Sequence, residues 1–244
     1  MIIAEIGRNH LGITQSAYDY IDSLAQTGVD GISLQIRERG YYNSPEKKQY
    51  IWDNDTYSKL SEYTKIQNKQ FGMALADASL VSFFESINTD FYKVIRDDIN
   101  NDELVSKLIA TGKKIFVSTG MCSDSDITKF INKYGDNENI VLNHTQLSYS
   151  IEDCNLIAIE HMKSQYKCQV SYGSHCENEN VLYMALCYNP SDIMFYVKAC
   201  NYLRYPDDKH AVTLNRVNTV CTNLTSLSSA VGNGIKLKMK NKIR

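Results

Sequence analysis

The sequence opens with MIIAEIGRNH (residues 1–10), in which an apolar run leads directly into charged and polar side chains. The run at 1–4 predicts a buried strand, and the carboxylate of Glu5 follows it at once. The residues after it supply a cation, an amide and an imidazole: Arg8, Asn9 and His10. A strand that ends in reactive groups is typical of a barrel whose active site lies at the carboxyl ends of its strands. The alternative for these residues alone is an edge strand followed by a polar turn.

Strand-like apolar runs and helix-like segments alternate eight times along the chain, in units of roughly 30 residues. Strands that are apolar on both faces and are each followed by a helical period indicate a parallel sheet covered by helices. Eight such units predict an α/β fold, a single-domain (β/α)8 TIM barrel over residues 1–244. The predicted strands lie at 1–4, 31–35, 71–76, 91–95, 114–118, 140–143, 168–171 and 192–198. The predicted helices lie at 14–26, 56–68, 80–87, 102–111, 123–134, 155–164, 178–186 and 217–231, with a long polar loop at 36–54.

Composition and charge limit the classes of partner. Of the 244 residues, 43% are hydrophobic and 22% are charged, and the formal net charge is −2. This balance is typical of a globular domain and gives no field that would attract nucleic acid or an anionic membrane. No apolar run reaches the ~18 residues of a membrane span, and the first residues do not resemble a signal peptide. The seven cysteines form no CxxC pair, which favours reduced thiols in a cytoplasmic protein.

Polar and charged residues recur where the predicted strands end. In a barrel these positions converge on one mouth, so we expect their side chains to meet there. For each residue taken alone, the alternative is a solvated loop end. The candidates are Glu5, His10, Ser33, Gln35, Asp77, Lys93, Arg96, Asp98, Ser118, Thr119, Asn143, His144, His175, Lys198 and His210.

Lys93 is the most informative of these residues because it lies inside the apolar run FYKVI (91–95). A lysine in such a strand either reaches the rim or meets an anion inside the barrel, since burial without a partner is costly. A phosphate or carboxylate ligand is a natural partner. The segment Ser118–Gly120 offers hydroxyl and backbone N–H groups just before a helix, a second anchor for a phosphate. His175 is a candidate metal ligand, because neutral imidazole is a common ligand of transition metals.

Several motifs together resemble the sialic acid (N-acetylneuraminate) synthase family. IIAEIGRNHLG (2–12) is similar to the family's AEIGxNHxG, and TGVDGISLQ (27–35) is similar to its AGADAVKFQ. Four further segments resemble its YKIGSGE, LSTGM, GYSDHT and GPDHxxSL motifs. They are FYKVIRDD (91–98), FVSTGM (116–121), SYGSHC (171–176) and PDDKHAVTL (206–214). The resemblance covers nearly the whole chain in the family's order and spacing.

The resemblance implies a (β/α)8 condensing enzyme of surface carbohydrate biosynthesis. Members of the family join phosphoenolpyruvate to the aldehyde of an N-acetylmannosamine-like aldose, giving a nonulosonic (sialic-type) acid and phosphate. They use a divalent metal, usually manganese, which polarises the aldehyde as a Lewis acid. A carboxylate near the reacting carbon would favour its cationic form and could steer the attacking water.

The motifs and the strand-end positions together give three sets of candidate site residues. The catalytic candidates are Glu5, Asp98 and His10. The candidates for substrate binding are Asn9, Gln35, Lys93, Arg96, Ser118, Thr119, Asn143 and His210. The candidate metal ligand is His175, and the second protein ligand of the divalent metal is left open.

The sequence also departs from the family pattern at positions that bear on the chemistry. The lysine of VKFQ is Ser33, the serine of GSGE is Arg96, and the SGE glutamate is shortened to Asp98. The serine and aspartate of YSDH are Gly173 and Ser174, and a threonine after strand three is Ala74. The second metal-binding histidine, in the family's EKHFTLDR, is replaced by Tyr196 or Lys198, depending on register.

Two interpretations remain open from the sequence. In the first, the synthase is rewired: Arg96 restores the positive charge lost at Ser33, and His144 or Asp208 supplies the missing metal ligand. In the second, the catalytic set has degenerated, and the barrel binds a sugar, a phosphorylated metabolite or a partner protein without condensing activity.

The family's C-terminal antifreeze-like domain has no counterpart in these residues. In the family this domain comes from a dimer partner and closes over the sugar site. We therefore expect either a homodimer or a separate protein that supplies a lid, unless the polar loop at 36–54 replaces it. That loop carries Arg37, Arg39, Tyr41 and Tyr42.

Overall fold

The computed structural model describes residues 1–236 of the chain, apart from the side chain of Asp97. Within them, eight strands pair in parallel, each with the next in sequence, and the eighth pairs with the first to close a barrel. The predicted (β/α)8 barrel is confirmed. Its strands are β1 (Ile2–Gly7), β2 (Gly31–Ile36), β3 (Gln70–Leu75), β4 (Phe91–Val94), β5 (Lys114–Ser118), β6 (Ile140–His144), β7 (Gln169–Ser174) and β8 (Ile193–Lys198). A two-residue strand, β9 (Val212–Thr213), pairs with β8 outside the barrel.

Helices cover the outside of the barrel, and several begin at a side-chain cap. Asp53 accepts a hydrogen bond from the backbone N–H of Thr56, and Ser123 forms a reciprocal capping box with Asp126. Such caps satisfy N–H groups that a helix leaves free at its first turn. The helices are α1 (Thr14–Ala25), α2 (Pro45–Lys48), α3 (Asn54–Ile66), α4 (Val81–Ser86), α5 (Asp102–Ile109), α6 (Asp124–Tyr134), α7 (Ala158–Tyr166), α8 (Asn180–Ala185) and α9 (Leu214–Val231). None of these helices is long and apolar enough to cross a membrane.

An apolar plug fills the lower part of the barrel interior. It consists of one residue from each of five strands: Ile3, Phe91, Phe116, Val141 and Met194. The ring of Phe91 needs the glycines on the neighbouring strands, because a Cβ on Gly72 would lie 2.1 Å from the ring and one on Gly31 2.8 Å from it. These two glycines are therefore required by close packing. The plug closes the bottom of the barrel and leaves the opposite end for a site.

Several predicted boundaries differ from the structure, among them the 36–54 loop and the start of the last helix. The polar loop at 36–54 contains a 3-10 turn (Arg39–Asn43) and the short helix α2. The turn packs back on the barrel because the backbone N–H of Arg37 donates to the hydroxyl of Tyr42. The last helix begins at Leu214, before the predicted 217, and this leucine packs against the core although polar residues follow it.

Candidate active site at the carboxyl ends of the strands

The alternation of side chains along each strand decides which residues of the site face the barrel interior. Successive residues of a strand face opposite sides, so the residue two positions beyond a plug residue also faces the barrel interior. In each of the five strands that contribute to the plug, the residue at that position is polar. These residues form a polar layer above the apolar plug. The five residues are Glu5, Lys93, Ser118, Asn143 and Tyr196.

Lys93 and Glu5 form an ion pair inside this polar layer. The Nζ of Lys93 lies 2.6 Å from the Oε2 of Glu5, and the two side chains are only 4% and 3% exposed. The lysine predicted to meet an anion in the barrel therefore has one within the chain. In a buried pair of this kind, each charge compensates the other.

A cavity of about 250 Å³ lies above this pair. Six of the residues predicted from the sequence line it: Gln35, Lys93, Arg96, Ser118, His175 and His210. Seven others also line it and were not chosen as site residues: Arg8, Ile95, Leu147, Tyr149, Tyr196, Pro206 and Asp207. Strand ends and the loops that follow them thus converge on one volume, as the barrel predicts.

Two guanidinium groups bring positive charge to the cavity. Arg8 is buried, and its guanidinium donates from Nε to the Oε1 of Gln35 (3.1 Å) and from Nη1 to the hydroxyl of Tyr41. Both acceptors are uncharged. Arg96 adds a second guanidinium at the rim, in the left-handed backbone region that few residues other than glycine adopt (φ 48°). Guanidinium groups suit carboxylate and phosphate ligands.

Asp207 places a carboxyl group in the same cavity. Burial raises its pKa to about 6, and the nearby Arg8 opposes that shift. Its Oδ2 has no hydrogen-bond partner within the described residues. Gly7 makes room for it, since a Cβ at this position would lie 2.9 Å from the ring of Tyr196 and 3.4 Å from the Oδ2 of Asp207. An acid whose pKa lies near neutrality can give or take a proton.

Two imidazoles stack at the side of the cavity. The ring centroids of His175 and His210 are 4.6 Å apart, with 29° between the planes. A hydrogen bond of 2.8 Å joins the Nδ1 of His175 to the Oγ1 of Thr145. Burial lowers the pKa of His210 to about 4 and holds that of His175 well below its ordinary value. Both rings are therefore neutral at pH 7 and can act as ligands or hydrogen-bond partners.

A family model for the NeuB family matches residues 21–236. The chain belongs to the NeuB family. N,N'-diacetyllegionaminic acid synthase of Campylobacter jejuni is 24% identical over 267 residues, which cover 99% of this chain and 80% of that protein. Pseudaminic acid synthase of the same species is 23% identical over 266 residues, covering 99% of this chain and 77% of that protein.

The crystal structure of N-acetylneuraminic acid synthetase from Leptospira borgpetersenii, in complex with citrate, has the same fold. It matches with a TM-score of 0.90 at 23% sequence identity, over 98% of this chain and 87% of that one. At this identity the likeness establishes the fold alone.

Six predicted site residues of this NeuB-family barrel do not line the cavity. Glu5 lies below it against Lys93, and the other five are His10, Asn143, Thr119, Asp98 and Asn9. His10 packs against Trp52, with ring centroids 3.9 Å apart, and its Nδ1 accepts a hydrogen bond from the backbone of Gly12. Burial lowers its pKa to about 3. The structure thus places the ring of His10 outside the cavity wall, where it packs in the turn before α1. A long-range contact with an aromatic residue of the 36–54 segment determines this, and the motif alone does not show it.

Asn143 and Thr119 lie deeper in the barrel wall than the cavity. The Oδ1 of Asn143 accepts a hydrogen bond from Ser171 (3.0 Å), and the Oγ1 of Thr119 donates to the backbone carbonyl of Asn143 (3.2 Å). Asp98 belongs to the 3-10 turn Arg96–Asn100, where its backbone N–H donates to the carbonyl of Ile95. The structure therefore does not bring these three residues to the cavity surface.

Asn9 is also outside the cavity, but it holds a residue that lies within it. Its Nδ2 donates to the carbonyl of Val197 (2.8 Å), and its Oδ1 accepts from the backbone N–H of Asp207 (3.1 Å). In this structure both polar ends of the Asn9 side chain are occupied within the chain. Both ends of the amide serve to tie the loop after β8, and so Asp207, to β1.

The open question of register at β8 is resolved by the pairing of Tyr196 with Glu5. Tyr196 takes the inward position, and Lys198 instead pairs with Asp208, with 2.7 Å between Nζ and Oδ1. His144 is engaged too, since its Nε2 lies 3.0 Å from the carbonyl of Cys154. Neither His144 nor Asp208 is therefore poised as the missing metal ligand.

The donor atoms set a limit on any metal site. Among residues 1–236, no three His, Cys, Asp or Glu side chains are grouped closely enough to hold a metal ion together. Two imidazoles, His175 and His210, remain as protein donors on the cavity wall. The residues present fit a divalent cation only if water or substrate oxygens complete its coordination.

Proposed function

We propose that this NeuB-family barrel condenses phosphoenolpyruvate with an N-acetylmannosamine-like aldose to give a nonulosonic acid and phosphate, in surface carbohydrate biosynthesis. The observation that carries the proposal is the cavity itself, in which a buried lysine and two guanidinium groups lie beside two carboxyl groups. Family membership and the similarity to legionaminic and pseudaminic acid synthases support it.

Three cationic side chains suit the donor substrate. Phosphoenolpyruvate carries a carboxylate and a phosphate, and Arg8, Lys93 and Arg96 line the cavity that would receive them. Ser118 adds a hydroxyl at the end of β5, just before the turn that leads to α6. Charge-assisted hydrogen bonds from such groups fix the position of an anion.

The carboxyl groups of Glu5 and Asp207 suit the chemistry at the donor carbon that becomes cationic during the condensation. When the enol carbon attacks the aldehyde, the adjoining carbon of the donor becomes cationic and is captured by water, and phosphate leaves. The carboxylate of Glu5 would favour that charge. Asp207 can accept the proton of the water, because a pKa of about 6 leaves it ionised at pH 7 and still basic.

A divalent ion, manganese by resemblance, belongs to this proposal. His175 is the residue that would hold it, with oxygens of water and substrate around it. When bound, such an ion polarises an aldehyde oxygen.

The acceptor sugar would enter beside the donor. A second cavity of about 450 Å³ adjoins the first and shares Arg8 and Pro206 with it. Its other walls come from the 36–54 segment and the loop after β8, with Tyr41 and Lys47 on one side and Arg204 on the other. These segments stand where a lid would be needed, so we propose them as that cover, alone or with a dimer partner or a separate protein.

We also propose that the reaction takes place in the cytoplasm. All seven cysteines lie among the described residues and are free thiols, as expected in a reducing compartment.

Titration calorimetry tests the donor site. Phosphoenolpyruvate is titrated into the protein with and without Mn²⁺, and Lys93→Ala is compared with Lys129→Ala, a substitution of an exposed lysine on α6. Binding that is lost only in Lys93→Ala supports the donor site, and phosphate release is then measured with a panel of aldoses. No binding by the unaltered protein under either condition would end the proposal.

One observation favours a second candidate function. Tyr196 fills the inward place on β8, and the donor set offers no three-residue metal site within the described chain. A barrel of this kind could bind a sugar or a phosphorylated metabolite without condensing it. Binding of phosphoenolpyruvate with no phosphate release for any aldose would support this alternative.

A further inference from the structure

His210 has a buried ring with no partner for either nitrogen. The side chain is 7% exposed, and both Nδ1 and Nε2 lack a hydrogen bond within the described residues. A buried polar group left unpaired costs about 1–3 kcal/mol, and such groups are uncommon enough to require an explanation. Its position on the cavity wall suggests that the missing partner is a ligand.

The imidazole of His175 supplies a second nitrogen donor beside it. The hydrogen bond between its Nδ1 and Thr145 fixes the ring and reserves Nε2 for another partner. Histidines that bind metals typically have their other nitrogen held by a neighbouring oxygen in this way. The two ring centroids lie 4.6 Å apart, so the two imidazoles are direct neighbours on one wall of the cavity.

The surrounding aromatic rings hold the two imidazoles in place. The ring of Tyr149 stacks on His210 at 5.8 Å, and Tyr196 meets His210 and His175 edge-on at 4.8 Å and 5.4 Å. Tyr196 therefore supports both rings from the inward position on β8, whereas His210 comes from the loop that follows that strand.

Nearby ammonium groups do not prevent cation binding, because each is paired. Lys93 is bound to Glu5 at 2.6 Å and Lys198 to Asp208 at 2.7 Å. The carboxyl group of Asp207 lines the same cavity as the two imidazoles and adds negative charge when ionised. These carboxyl groups offset part of the positive charge that Arg8 and Arg96 bring to the same cavity.

We propose that His175 and His210 together bind one divalent transition-metal ion, with His210 as a loop-borne ligand and with water or substrate oxygens completing the coordination. The assignment rests on the proposed function and deepens it, because it names a second protein ligand for the ion in that proposal. It also explains how the chain tolerates Tyr196 on β8 in place of the family's second metal-binding histidine.

Metal titration of the whole protein tests this without any assay of activity. Co²⁺ binding is followed by visible absorption, and Mn²⁺ binding by the loss of the free-ion electron paramagnetic resonance signal. We expect one ion per chain, with Co²⁺ bound more tightly than Mn²⁺. His175→Gln and His210→Gln should each weaken binding at least ~10-fold. His161→Gln, which alters an exposed histidine of α7, should leave it unchanged.

Two results would overturn the assignment: no Co²⁺ spectrum in the unaltered protein, or His210→Gln binding both ions as tightly as the unaltered protein. Circular dichroism of each variant confirms that it is folded, and a His210→Cys variant, which restores a metal-binding side chain, should recover Co²⁺ binding with a shifted spectrum. If metal binds as expected but no aldose yields phosphate, the two-histidine site stands and only the proposed reaction fails.

Discussion

The Nζ of Lys93 and the Oε2 of Glu5 meet 2.6 Å apart inside the barrel, joining β4 to β1 across its interior. Both side chains are almost fully buried, so neither charge is compensated by water. The pair thus connects the stability of the barrel to the charge of the cavity above it. The carboxylate of Glu5 already holds the side chain of Lys93 in place. An anionic substrate that approaches Lys93 therefore enters next to this carboxylate.

Lys93→Met should destabilise the fold and remove donor binding together. Removing one partner of a buried ion pair leaves the other uncompensated, at a cost of about 3–5 kcal/mol. Urea unfolding measures the loss, and calorimetry with phosphoenolpyruvate measures binding. The double variant Glu5→Gln, Lys93→Met should regain much of the stability but no binding. If Lys93→Met unfolds at the same urea concentration as the unaltered protein, the pair contributes nothing to stability.

Asp207→Asn should stabilise the protein at neutral pH and leave it unchanged in acid. Burial raises the pKa of this carboxyl from 3.8 to about 6. The folded state therefore holds the proton more tightly than the unfolded state, and that stability is fully present below pH 3.8 and is lost as the pH rises through 6. The shift corresponds to about 3 kcal/mol as an upper estimate. Thermal unfolding at pH 3.5 and pH 7.5 measures the difference.

The matched control for this prediction is Asp153→Asn, a substitution in an exposed 3-10 turn. It should show no difference that grows between pH 3.5 and pH 7.5. An Asp207→Asn variant that gains nothing at pH 7.5 would mean that the carboxylate has compensation in solution that the cavity geometry does not show.

The strands of the barrel could be predicted from the sequence because apolar runs and helical periods are local signals. Lys93 was also predictable, since a charged residue within an apolar run needs a buried partner. The roles of His10 and Asp207 could not be read in this way. His10 is withdrawn from the cavity by Trp52, and Asp207 is brought into it by Asn9, and both contacts depend on how distant loops fold over the barrel.

Gly72→Ala should destabilise the barrel through a clash with the apolar plug. The added Cβ would lie 2.1 Å from the ring of Phe91, too close for any rotation of the ring to relieve fully. Overpacking of a core typically costs 1–3 kcal/mol. A second substitution, Phe91→Leu, removes the clash and should restore part of the loss, whereas Gly40→Ala has no atom within 4 Å of its new Cβ and should be neutral. Equal midpoints of urea unfolding for Gly72→Ala and Gly40→Ala would show that the plug can shift.

Lys47→Gln should weaken binding of the acceptor sugar and leave binding of phosphoenolpyruvate unchanged. Its Nζ lies 4.5 Å from the centre of the Tyr41 ring, on the wall of the outer cavity, and it has no carboxylate within ion-pair distance among the described residues. One lost hydrogen bond of about 1 kcal/mol corresponds to a rise of about fivefold in the KM for N-acetylmannosamine. The dissociation constant of phosphoenolpyruvate, measured by calorimetry, should not change. Lys48→Gln, on the same helical turn but off the cavity wall, is the control. If both variants raise this KM equally, the effect comes from the net charge of the segment, and the acceptor does not lie against Tyr41.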